Sequence, residues 1–135
     1  MDNCSFELIK DWTGSAWEDL SVAEIDFQAG KYRHSIINCH HALEKVAKAI
    51  YIKERNKLPK KTHNIIEILR ESYGEIIFNE MFDEERRNFF ADVTSFYPGI
   101  NYPDSRLYLS IDRSIAEPLL YRTRSELEWL MSLLK

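Results

Sequence analysis

Residues 39–50, CHHALEKVAKAI, place two imidazoles, a carboxylate and two ammonium groups within about three helical turns. At about 100° per residue, His40, Glu44 and Lys48 follow one another along one shoulder of an apolar stripe formed by Ile36, Cys39, Leu43, Val46 and Ile50. Arg33 and Tyr51 extend this polar seam, whereas His41 and Lys45 fall opposite the stripe and are expected to point to water. Glu44 and Lys48 form an i, i+4 pair in the favourable order, worth about 0.3–0.5 kcal/mol if exposed. The plain reading is a solvated helix flank with one ion pair and a partly buried histidine. The sharper one is a seam facing a cleft, where cations and an imidazole converge on an anionic ligand. His40 and Glu44 could also supply two metal ligands. A structural zinc takes four ligands and a catalytic one usually three, and no second His/Cys pair has ligand spacing, so neither metal nor cofactor is expected.

Two further segments carry chemistry. In KKTHNI, residues 60–65, His63 stands where a helix begins. Thr62 or Asn64 would cap that helix, and free N–H groups at a helix start favour anions, so Lys60, Lys61 and His63 could hold a phosphate. The irregular stretch YPGINYPDSRLYLS, residues 97–110, offers Tyr97, Tyr102 and Tyr108 for stacking on a base or for packing over the bundle end.

The elements positioning these residues read as helices throughout. Ala16, Leu20, Ala23 and Phe27 recur at helical spacing and predict a first helix ending near Gly30, with residues 1–14 a loose N-terminal extension. The stripe from Ile36 to Ile50 predicts a long second helix. Ile65, Ile66, Leu69 and Tyr73 mark a short third, stopped at Gly74. A fourth starts near Asp83, with Phe82, Phe89, Val93 and Phe96 on one side. The last runs from about Ser110 or Asp112 to the end, with Ile115, Leu119, Leu127, Leu130 and Leu134 inward and Pro118 kinking it or marking its first turns. The expectation is a single all-α domain over residues 1–135, an up-and-down bundle of about five helices, three long and two shorter.

The net charge of −4 argues against a surface that coats nucleic acid generally, although KERNKLPKK, residues 53–61, carries five basic residues against one glutamate. Cys4 and Cys39 do not read as a disulfide framework, which makes a reducing cytoplasm the expected setting. No run of about 18 apolar residues predicts a membrane span, and the N-terminus lacks the pattern of a signal peptide.

In order along the chain stand Gly30-Lys31-Tyr32, then His41-Ala42-Leu43-Glu44-Lys45 with Lys48-Ala49, then Pro59 and Thr62-His63-Asn64, then Tyr102-Pro103-Asp104. This series, over about residues 15–134, resembles the small stand-alone prokaryotic members of the HEPN domain family (higher eukaryotes and prokaryotes nucleotide-binding). The resemblance implies a helical bundle, a homodimer, and an accessory role beside a minimal nucleotidyltransferase in a toxin–antitoxin-like system, with contact to a nucleotide or RNA. It points to Lys48, His63, Tyr102 and Asp104 as ligand-binding residues. Asn101 stands where the family loop carries arginine, a charge that Arg106 would have to replace. The family's ribonuclease branch carries an R-x(4–6)-H motif late in the chain, and no histidine follows His63. An early match exists, from Arg33 to His40, on one helix face. There the imidazole would act on a 2′-hydroxyl and the guanidinium would stabilise phosphorane charge, giving a metal-independent ribonuclease as the alternative to a binding protein without activity of its own. A purely structural dimerisation module is the third reading.

Overall fold

The computed structural model describes residues 3–100 and 111–135, with side chains given for residues 4–96 and 111–135. Helix α1 (Asn3–Gln28) and helix α2 (Tyr32–Arg55) form an antiparallel hairpin. Gly30 closes it with a φ of +75°, a conformation an L side chain resists, and its N–H donates to the Phe27 carbonyl while that of Lys31 donates to Asp26. The hairpin seam is apolar: Ala16, Leu20, Ala23 and Phe27 pack against Ile36, Cys39, Leu43, Val46 and Ile50, all buried. Two polar links pin its register, Ser35 Oγ donating to the Ala23 carbonyl at 2.8 Å and the Asn38 amide donating to Asp26 at 2.9 Å.

The expected loose extension is helix instead. Residues 3–14 continue α1 without a break, because Leu8, Ile9 and Trp12 prolong its apolar face and are half-buried. Ser5 also donates to Asn56 at 2.9 Å, tying this end to the far end of α2.

Asn56, in the left-handed region at φ 53°, ends α2. Helix α3 (Ile65–Tyr73) is capped by Asn64, whose side chain accepts from the Glu67 N–H, and stops at Gly74 with φ 84°. Helix α4 (Glu75–Met81) is an addition to the about five expected helices, making six among the described residues. It was hidden because Gly74 reads as a stop and because Ile76 and Ile77 are exposed while only Phe78 and, in part, Met81 turn inward, which leaves a weak amphipathic period. Helix α5 (Glu84–Ile100) starts from Asp83, which accepts from the Arg86 N–H at 2.8 Å. Helix α6 (Arg113–Ser132) starts from Asp112 and runs on past Pro118. It lies along α2 in the same direction: Arg113 sits over Phe27 near the hairpin turn, and Lys53 donates to the Leu133 carbonyl at 2.8 Å.

Two inward positions shift by one residue. Phe90, not Phe89, is fully buried, in a cluster with Phe78 and Phe82. Ile115 is exposed and Ala116 takes the inward place, in phase with Leu119, Thr123, Leu127 and Leu130. The described residues form an all-α bundle without strands, and none of its helices is long and apolar enough to cross a membrane.

Candidate functional site

The polar shoulder of α2 meets the chain just before α3. Glu44 is its centre: one carboxylate oxygen accepts from Lys48 Nζ at 2.9 Å and the other from His63 Nδ1 at 2.9 Å. Carboxylates only accept, so His63 carries its proton on Nδ1 here. His40 Nε2–H donates to the His63 carbonyl at 2.9 Å, and its Nδ1 lies 3.7 Å from Glu44. Lys48 is further held 5.6 Å from the Trp12 ring centroid, a cation–π distance. Three helices thus meet here: α1 through Trp12, α2 through His40, Glu44 and Lys48, and the start of α3 through His63.

Exposure separates these groups sharply. The His40 side chain is 0%, Glu44 9% and Lys48 12% exposed, but His63 is 63% exposed. Burial pushes the His40 imidazole down to about 4, outweighing the Glu44 carboxylate and the His63 carbonyl, which pull it up. For Glu44, burial alone would raise the carboxyl, yet hydrogen bonds from Lys48 and His63 hold it below its usual range. Near neutral pH the seam therefore has a neutral His40 beside an ionised Glu44.

Of the expected ligand residues, Lys48 and His63 are brought together through Glu44. Tyr102 and Asp104 lie outside the described residues, as do Asn101, Arg106 and Tyr108, and the side chain of Tyr97 does too. Arg33 and His40 share α2 but not an open site. Arg33 lines a hollow of about 250 Å³ at the hairpin turn, whereas His40 is sealed beneath residue 63. His41 and Lys45 do not face water as expected. Lys45 donates to Ser15 at 2.7 Å and pairs with Asp19 at 2.8 Å, because α1 covers that side of α2. Burial also lowers the His41 imidazole. Among the described residues no group of three or more His, Cys, Asp and Glu side chains is arranged to hold a metal ion.

The remaining basic groups near α3 are partly engaged. Lys60 reaches Glu71 at 2.6 Å, and Arg55 donates to the Glu71 carbonyl at 2.9 Å. A larger hollow of about 480 Å³ lies elsewhere, between α1 and α6. Its charges neutralise one another, Arg113 with Glu117 and Arg124 with Glu24, leaving an apolar floor around Phe27 and Leu120.

Sequence reasoning missed a second buried carboxylate, Glu126, held by Arg86 at 2.6 Å and Arg122 at 2.9 Å. Only the Arg122–Glu126 spacing was visible in the chain; the link to Arg86 crosses 40 residues.

A profile of the HEPN domain matches residues 9–133. The fold is similar to that in the crystal structure of TT1696 from Thermus thermophilus, with a TM-score of 0.75 over 93% of this chain and 97% of that one, at 17% identity. At that identity the likeness speaks to fold alone. No curated protein sequence matches. With nearly its whole length matched by the family profile, the chain belongs to the HEPN domain family.

Proposed function

We propose that this protein is a nucleotide- or RNA-contacting HEPN module without activity of its own, working as a homodimer beside a minimal nucleotidyltransferase in a toxin–antitoxin-like system. The observation that carries the nucleotide part is the seam at the start of α3. There an exposed imidazole, His63, is anchored on a buried carboxylate–ammonium pair and follows Lys60 and Lys61 in the chain. Tyr102 and Asp104 are the groups we assign to base stacking and ribose contact. Free cysteines, Cys39 buried and Cys4 exposed, fit a reducing cytoplasm.

Calorimetric titration with nucleotides tests the reading. Binding should weaken as salt rises, and Tyr102→Ala should weaken it by about 1–3 kcal/mol, the worth of a stacked base. No binding at millimolar nucleotide, or binding untouched by Lys48→Ala, Tyr102→Ala and Asp104→Ala alike, rejects the site. A single 16.0 kDa species in sedimentation equilibrium rejects the dimer.

The ribonuclease reading through Arg33 and His40 is less well supported. A base must come within hydrogen-bond reach of the proton it takes, and His40 has no exposed surface and donates its Nε2–H to a backbone carbonyl. RNA cleavage in EDTA that falls about 10²–10⁴-fold, the range typical of a lost general base, on His40→Ala would reverse this ranking.

A further inference from the structure

Helix α6 turns to solvent a face whose charges stand in a particular order. Arg113, Glu117, Leu120, Tyr121, Arg124 and Glu128 fall within an arc of about 100° at the helical advance per residue, and all but the half-buried Leu120 are exposed. Along the helix the face is basic, acidic, apolar, basic, acidic. Turned end for end it is acidic, basic, apolar, acidic, basic. The positions are symmetric about the midpoint between residues 120 and 121. Two copies of the face laid antiparallel about a two-fold axis at that midpoint set Arg113 against Glu128, Glu117 against Arg124 and Tyr121 against Leu120. The axis repeats each of these meetings, as it must where one patch contacts itself.

Shape agrees with charge. Tyr121 is 82% exposed and stands on the rim of the hollow of about 480 Å³ between α1 and α6, whose floor is Phe27 and Leu120. A knob beside a hollow suits a self-complementary contact, because each copy has to offer both halves. The rim sets two arginines, Arg113 and Arg124, against Glu24, Glu117 and Glu128, which gives a polyanion no attraction and suits another copy of the same face. Arg113 already holds Glu117 at 2.8 Å, and Arg124 holds Glu24. These side chains are thereby kept on the rim, and an opposite charge from a second copy extends each pair.

We infer that this face of α6, with the hollow beside it, is the surface through which two copies of the chain associate, antiparallel about a two-fold axis near Leu120 and Tyr121. The inference rests on the homodimer proposed above and adds to it the surface and the pairing.

Sedimentation equilibrium of the full chain and its variants tests it. Glu117→Arg sets arginine against Arg124 across the axis, and Arg124→Glu sets glutamate against Glu117. Like charges facing each other across a contact oppose it strongly, so each variant alone should dissociate about a hundredfold more readily than the wild type. Mixed in equal amounts, the two should recover a dimer of near wild-type affinity, because both meetings then pair arginine with glutamate. Each variant disturbs its own rim equally whether alone or mixed, so the recovery reports only the pairing between copies, and mixing cannot repair a damaged fold. Tyr121→Ala removes a side chain too exposed to hold the bundle together. It should raise the dissociation constant about tenfold or more, as loss of an aromatic from the centre of a contact does. A wild type that is monomeric at micromolar concentration removes the homodimer and this inference together, and leaves the groove to a different protein. A wild-type dimer that the two charge variants and Tyr121→Ala leave unweakened keeps the homodimer and overturns this surface. Charge variants that dissociate but do not recover on mixing overturn the antiparallel pairing.

Discussion

Among the described residues two glutamates are buried, and the bundle treats them differently. Glu126 on α6 lies between Arg86 and Arg122, with Arg86 stacked 3.5 Å from the Trp129 ring centroid and Arg122 over Phe89 at 5.2 Å. Both partners are permanently charged, planar, and pressed on aromatic faces, so the cluster is closed and joins α5 to α6. Glu44 on α2 has one ammonium, largely buried, and one imidazole, largely exposed. The same carboxylate chemistry makes a clamp in one place and a platform in the other. The difference is in the second partner: arginine fills its site and cannot release its proton, whereas histidine turns one nitrogen inward and keeps another edge outside.

The comparison can be broken most forcefully at the clamp. Glu126→Ala leaves the partly exposed Arg86 without its carboxylate and Arg122 with Glu85 alone, and losing hydrogen bonds to a charged group costs about 1.5–3 kcal/mol. Urea unfolding should show that loss, while the folded fraction binds nucleotide as the wild type does. A change below about 1 kcal/mol would mean that the cluster is solvated and not a clamp.

Acid should act on the platform instead. The His40 imidazole sits at about 4 in the folded protein against an ordinary 6.5, so between those values the unfolded chain binds more protons than the folded one. Stability is then full above about pH 6.5 and falls as pH drops towards 4, by on the order of 3 kcal/mol in all from this group. The His41 imidazole, also lowered by burial, works in the same direction. The lowered Glu44 carboxyl gives its own stabilisation above its ordinary 4.5, which is lost as pH falls further. His40→Gln should flatten the slope between pH 6.5 and 4, as seen in thermal unfolding across that range; an unchanged slope contradicts the burial argument.

The smallest effect sharpens the boundary of the seam. Lys45 bridges to Ser15 and Asp19 on α1, so Lys45→Ala should cost up to about 1 kcal/mol without altering nucleotide binding. A loss of binding would extend the platform around α2 and merge the two faces.

How far the chain itself disclosed this arrangement differs from element to element. The stripe from Ile36 to Ile50 defined α2 and its polar shoulder, because a long amphipathic helix leaves a clear period. The partnership of Glu44 with Lys48 was readable for the same local reason. That α1 would cover Lys45, that His40 would be sealed under residue 63, and that Arg86 would reach Glu126 depend on how separate helices pack, and no local spacing records that. α4 escaped because its exposed Ile76 and Ile77 mask the period of its inward residues, whereas residues 3–14 continue the spacing of α1 through Leu8 and Trp12. His63 was legible as a helix-start residue, but not as the outward half of a pair with Glu44, 19 positions earlier.

The most direct test of the account is a backbone amide map of the protein titrated with AMP. The shifts should gather at residues 40–48 and 60–67, around His40, Glu44, Lys48 and His63, and spare the helices that carry Arg86 and Arg122. Shifts centred on that arginine clamp, or none at millimolar AMP, would contradict the placement of the ligand site.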